Sequence, residues 1–218
     1  MTKIKICGLF REEDAAYANE AKPDYAGFVF AESRRKVSPA LAARLRGLLD
    51  TGIVPVGVFV NAPVSDIIAL YRDGIIDIVQ LHGAEDAAYI ARLKEAGAKT
   101  GRGAAPLIKA FPASAAVSGT GVPPLRAIPG GADYYLIDSG SGGTGKPFNW
   151  KLIEKLRIGP LGSRPWFLAG GIGLHNIKEA LALEPFGVDV SSGAESGGVK
   201  DREKMMALTR IVRKGSGL

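Results

Sequence analysis

Lys3-Ile4-Lys5-Ile6-Cys7-Gly8 sits near the start of the chain, and Tyr134-Tyr135-Leu136-Ile137-Asp138-Ser139-Gly140 repeats its design far downstream. In each, a short apolar run suited to a strand ends on a titratable side chain and then runs into glycine. Placed as strands of one parallel barrel, the two runs open their C-terminal tips onto a single face, where that architecture keeps its chemistry. A thiol and a carboxyl at one mouth make a general base, Cys7, and a general acid, Asp138. Taken singly, a strand-terminal Cys is more often a small buried hydrophobe, and a strand-terminal Asp is as often a turn former. The coincidence of tips gives the chemical reading its weight.

Six further runs of the same kind lie at residues 25–30, 54–60, 76–81, 106–111, 166–169 and 188–191. They are apolar almost throughout, as strands buried on both faces should be. Helical segments alternate with them at 11–20, 39–49, 63–71, 85–96, 150–156, 175–183 and 201–214. Ser38-Pro39 reads as an N-cap followed by a proline in the first turn, and Asn61-Ala62-Pro63 and Asp201 carry similar start signals. The stretch 113–131 is rich in Gly, Pro, Ser and Thr, with only 123–127 offering a short helix. The reading is an α/β chain forming a single (β/α)8 TIM barrel over residues 1–218, its fifth helix short or irregular. A doubly wound open sheet competes, but eight units in this length favour closure.

Composition narrows the class. At 46% hydrophobic and 23% charged residues the chain matches an ordinary globular protein. One cysteine excludes an intramolecular disulfide and suits a reducing cytosol, so a cytoplasmic location is expected. No apolar run approaches the ~20 residues of a membrane span, and no signal peptide is predicted. The net charge of +6 is scattered, with no basic run interleaved with aromatics. It predicts mild steering of an anionic substrate, with neither nucleic acid nor membrane as partner. No Cys/His cluster has metal-ligand spacing and no Gly-x-Gly-x-x-Gly opens a helix, so neither metal nor cofactor is predicted.

The remaining tips add binding groups. Gly170 and Gly171 follow the seventh run, and Ser192 and Gly193 follow the eighth. Small residues there let backbone amides approach an anion, at the two strands where many barrels hold phosphate. His82, in Gln80-Leu81-His82-Gly83, ends the fourth run and is read evenly as a site residue or a satisfied structural one. Arginines in Ser33-Arg34-Arg35-Lys36 could fork onto a carboxylate, although Arg34 and Lys36 read better as solvated loop charges. His175, in a helix start, receives no role. Residues 139–146, with Gly142, Gly143, Thr144 and Gly145, read as a lid over the acid, against the plainer reading of a rigid turn.

Lys5-Ile6-Cys7-Gly8, Gly27-Phe28-Val29-Phe30 with Ser33-Arg34-Arg35, Val79-Gln80-Leu81-His82-Gly83, Leu136-Ile137-Asp138-Ser139 with Gly142-Gly143-Thr144-Gly145, Leu168-Ala169-Gly170-Gly171 and Val188-Asp189-Val190-Ser191-Ser192-Gly193 occur in that order. In this combination the chain resembles the phosphoribosylanthranilate isomerase family of tryptophan biosynthesis. Two positions depart from the family: the loop after the second run is about one residue short, and Asn149 stands where an Asp is usual. The resemblance implies an Amadori rearrangement of a small phosphorylated substrate by a monomer or homodimer without cofactor. Cys7 would be base and Asp138 acid, Arg35 would hold the anthranilate carboxylate, and Gly171, Ser192 and Gly193 the phosphate. Surroundings that lower the thiol from the ~8.5 of a free cysteine would help the base. The rivals are a sugar-phosphate isomerase of histidine biosynthesis, disfavoured because it usually has carboxylates in both catalytic roles, and a non-catalytic phosphate-binding barrel.

Overall fold

The computed structural model describes residues 1–113, 131–138 and 164–215. Its eight main strands are β1 (Lys3–Cys7), β2 (Tyr25–Val29), β3 (Val54–Phe59), β4 (Ile78–Leu81), β5 (Leu107–Pro112), β6 (Tyr134–Asp138), β7 (Trp166–Ala169) and β8 (Gly187–Val190). They hydrogen-bond in sequence order and close on themselves as a parallel barrel, β1 pairing with β2 on one side and β8 on the other. The predicted barrel is therefore the fold. Helices α1 (Glu12–Ala21), α2 (Pro39–Leu48), α3 (Val64–Arg72), α4 (Ala87–Ala98), α5 (Ile177–Ala182) and α6 (Arg202–Gly215) lie between or after the strands. The segments predicted as a short fifth helix, a lid at 139–146 and a helix at 150–156 lie outside the described residues.

Side chains alternate across each strand, which sorts them into two cores. Tyr25, Val56, Ile78, Ile108, Ala110, Leu136, Phe167 and Ala169 fill the barrel. Ile4, Ile6, Phe28, Val79, Leu81, Tyr135, Leu168 and Val190 face out to a shell shared with buried helix residues such as Leu45, Ile67, Leu93 and Leu208. Each fully buried aliphatic of this kind contributes about 1.5–3 kcal/mol. In β1 the outward pair Ile4 and Ile6 forces Lys5 and Cys7 onto the interior face. That parity sets up the site.

Caps follow the predicted chemistry in part. The Ser38 hydroxyl accepts from the Leu41 amide at 3.1 Å, and the Asp201 carboxylate accepts from the Lys204 amide at 3.0 Å. Asn61 does not cap α3: it turns the chain at φ +50 and its Oδ1 accepts from the Ala84 amide at 2.9 Å. Helix α5 is also shorter than the pattern at 175–183, because the Asn176 carboxamide accepts from the Gly173 amide (2.9 Å) and holds the chain in a turn until Ile177. A short antiparallel pair, β9 (Glu195–Ser196) and β10 (Val199–Lys200), follows β8 around a turn in which Gly197 and Gly198 both have positive φ. The sequence reading contains no counterpart to it.

Candidate active site

The barrel's C-terminal mouth collects most of the predicted residues. Cys7 ends β1 with 8% of its surface exposed. Asp138 ends β6, its side chain 29% exposed and its Oδ2 3.3 Å from His82 Nε2. His82 follows β4 directly and is therefore placed in the mouth beside the predicted acid. Its other ring nitrogen, Nδ1, lies 3.0 Å from the Gln80 carboxamide nitrogen, two residues earlier on the same strand face. When that amide donates to Nδ1, the imidazole proton sits on Nε2 and points at Asp138.

The thiol's surroundings differ from the expectation. Burial is the largest influence on Cys7 and pushes its pKa up. The Lys5 ammonium opposes this, and Asp189 adds to the rise. The surroundings thus do not lower the thiol, because a thiolate 8% exposed loses most of its hydration.

Beneath Cys7 lies an ion pair the sequence reading missed. Lys5 Nζ is 3.0 Å from Asp189 Oδ1, with side-chain exposures of 0% and 8%. The two residues are register partners across β1 and β8. Burial works against the Lys5 charge, but Asp189, followed by Cys7, outweighs it and holds the ammonium above its ordinary pKa. A signal was available: Lys5 stands two positions before the end of β1 and Asp189 one before the end of β8, each charged within an apolar run.

Arg35 reaches the mouth but turns its fork inward. Nε lies 2.6 Å from Glu195 Oε1 and Nη2 3.0 Å from Oε2. Arg34, half-exposed as a solvated loop charge should be, also pairs with Glu195 Oε2 and donates to the Gly198 carbonyl at 2.7 Å. Lys200 Nζ completes the cluster, 2.7 Å from Glu195 Oε1 and 3.1 Å from the Ser191 carbonyl oxygen. Burial works against the Glu195 charge, yet Arg35 and Lys200 prevail and hold its carboxyl at about 2. Gly8, at φ +84, makes room for Arg35: a Cβ there would stand 2.4 Å from Arg35 Cδ.

At the remaining corner the loops after β7 and β8 meet backbone to backbone. Gly173 and Gly193 form an isolated parallel bridge, and a Cβ on Gly193 would stand 1.9 Å from the Ile172 carbonyl oxygen. Gly170 and Gly171 turn with φ of +91 and +65, and Gly171 and Ser192 are exposed. The Ser191 hydroxyl donates to the Cys7 carbonyl oxygen at 3.1 Å, tying this corner to the thiol's backbone. His175 is exposed on the loop before α5. Among the described residues no group of His, Cys, Asp and Glu is placed to hold a metal, and no helix is long and apolar enough to cross a membrane.

Comparison with known proteins shows the family. A family model described as N-(5'-phosphoribosyl)anthranilate isomerase matches residues 4–210. The N-(5'-phosphoribosyl)anthranilate isomerase of Endomicrobium trichonymphae is 45% identical over 98% of this chain and 99% of its own length. A crystal structure of phosphoribosyl anthranilate isomerase from Thermus thermophilus superposes with a TM-score of 0.79 at 32% identity, covering 98% of this chain and 99% of that one. Another phosphoribosyl anthranilate isomerase, crystallised with reduced 1-(o-carboxyphenylamino)-1-deoxyribulose 5-phosphate, superposes over the whole of both chains with a TM-score of 0.74 at 30% identity. The chain belongs to the N-(5'-phosphoribosyl)anthranilate isomerase family.

Proposed function

We propose that the chain is the isomerase of tryptophan biosynthesis that rearranges N-(5'-phosphoribosyl)anthranilate, with Cys7 as general base and Asp138 as general acid. The observation carrying the assignment of roles is the placement of these two groups on β1 and β6 at one mouth. Protonated Asp138 donates to the furanose ring oxygen as the bond from that oxygen to C1 breaks. The nitrogen lone pair forms the C1=N iminium, and the ring oxygen leaves as a hydroxyl. Cys7 thiolate then takes the proton from C2. The electrons of that C–H bond become a C1=C2 double bond, and the C=N pair returns to nitrogen as an enolamine. Protonation at C1, with the C2 hydroxyl giving up its proton as its oxygen forms the C=O double bond, gives the 2-ketone. Each proton transfer is worth roughly 10²–10⁴ in rate.

His82 supports the acid by holding Nε2 3.3 Å from the Asp138 Oδ2, which orients the carboxyl. For the anthranilate carboxylate the reading relies on Arg35. Glu195 takes Nε and Nη2, while Nη1 stands outside that fork. The phosphate is assigned to backbone amides at Gly171, Ser192 and Gly193, with Gly170 giving the turn. The whole chain acts as one barrel domain in this reading. Turnover of N-(5'-phosphoribosyl)anthranilate by the purified chain is the test. Wild type should form the ketone product, and Cys7→Ala and Asp138→Asn should each lose about two to four orders of magnitude in kcat with the fold retained. Near-normal turnover in either variant would falsify its role.

A further inference from the structure

We propose that Lys5, clamped by Asp189, is a positioning residue that supplies the positive charge against which the Cys7 thiolate forms. The inference rests on Cys7 being the base, and it supplies what a buried thiol in that role lacks. Lys5 and Cys7 share the interior face of β1, two residues apart, and the Lys5 ammonium works against the rise that burial imposes on the thiol's pKa. A flexible lysine could otherwise withdraw. Asp189 Oδ1, 3.0 Å from Nζ and on the neighbouring strand, fixes it beneath the thiol.

The pair's position is unusual on physical grounds. Two charges at 0% and 8% exposure lose hydration worth several kcal/mol per ion, and apolar side chains of like volume often serve stability equally well. Much of the barrel interior takes that option, with Val56, Ile108 and Leu136 packed together, and the buried polar residue on β4, Gln80, is uncharged. A charged pair directly under the one cysteine is therefore read as serving the thiol. The two charges do not cancel at the thiol: the influence of Lys5 on Cys7 is larger than the opposing influence of Asp189. As Cys7 loses its proton, the sulfur gains a negative charge beside a cation already in place, with no reorganisation required.

The other charged groups facing Cys7 are few. Lys200 on β10 also favours the thiolate, but its Nζ is committed to Glu195 and the Ser191 carbonyl. Glu195 is in turn held by Arg34 and Arg35. Asp138 and His82 pair with each other on β6 and after β4. Of the two lysines on the thiol's own strand, Lys3 is four residues away and pairs with Asp24, which leaves Lys5, two residues away, as the cation beside Cys7.

Because Cys7 is the only cysteine, the ultraviolet absorbance of its thiolate reports one group, with no activity needed. Two variants should move that titration in opposite directions. Asp189→Asn removes the anion and leaves Lys5 with the thiolate as its natural counter-ion, so the midpoint should fall. Lys5→Met combined with Asp189→Leu removes both charges and fills the space with apolar atoms, so the barrel should fold while the midpoint rises by about one pH unit or more. The alkaline-rising limb of kcat/KM should track the absorbance in both. An unchanged midpoint in the double variant, or shifts of one sign in both, would overturn the proposal. A wild type whose thiol titrates as described but which does not turn over N-(5'-phosphoribosyl)anthranilate supports the charge arrangement and overturns the function assigned above.

Discussion

Glu195 is a single carboxylate holding three cations, Arg34, Arg35 and Lys200, at the rim of the site. Replacing it by Gln leaves Lys200, whose side chain is fully buried, without its anion. The expected cost is about 3 kcal/mol in denaturant unfolding, because removing one partner of a buried pair strands the other. The pH dependence has a definite sign. The folded carboxyl is held at about 2, below the ~4.3 of an unfolded Glu, so its contribution is complete above ~4.3 and is lost as pH falls towards the folded value. Wild type should lose stability through that acid window more steeply than Glu195→Gln, and equal slopes would remove Glu195 from the account. The sequence exposed Cys7, Asp138, Arg35 and His82 because each ends or closely follows a strand. Glu195 and Lys200 stayed hidden because their meeting depends on two-residue strands and a turn of left-handed glycines, too short for any periodic pattern.

Among the elements, the loops after β7 and β8 make the most specific demand. The Gly173–Gly193 bridge leaves no volume at Gly193, where a methyl group would lie 1.9 Å from a carbonyl oxygen. Backbone on both sides is fixed by the strands, so Gly193→Ala must push the two loops apart by a substantial fraction of an ångström or more. A displacement of that size at a binding corner costs about 10²-fold in kcat/KM, expressed mainly as a raised KM if the phosphate sits there. Alanine at Gly193 with unaltered KM would move the phosphate elsewhere. Element boundaries were mostly legible for a local reason: β1, β6 and β7 match the sequence reading residue for residue, since polar or turn-forming residues bound each apolar run. The sequence misled at α5 and Asn61, where an amide side chain served another loop's backbone. Side-chain destinations of that sort depend on tertiary neighbours.

For the whole molecule, closure follows from strand number, but the closing seam joins Lys3 to Gly187 and Ile6 to Val190 across most of the chain. Strands apolar on both faces carry no alternation from which to read that register. Only the charged positions Lys5 and Asp189, paired across the seam, mark which face is inside. The molecule's net charge of +6 leads to a further expectation. In the proposed function the substrate carries a phosphate and a carboxylate, so it approaches a protein of opposite sign. At ~0.01 M ionic strength the Debye length is about 30 Å and the whole molecule attracts it; at ~0.15 M it is about 8 Å and only the mouth does. Raising sodium chloride between these limits should therefore lower kcat/KM several-fold, up to about tenfold, through slower encounter. Bound substrate no longer feels that approach, so kcat should stay constant. Chloride is the appropriate salt, since phosphate would compete at the loops after β7 and β8 and mimic the effect through KM. If kcat/KM is flat across the range, the scattered charge steers nothing, and recognition of the anion rests on short contacts in the mouth alone.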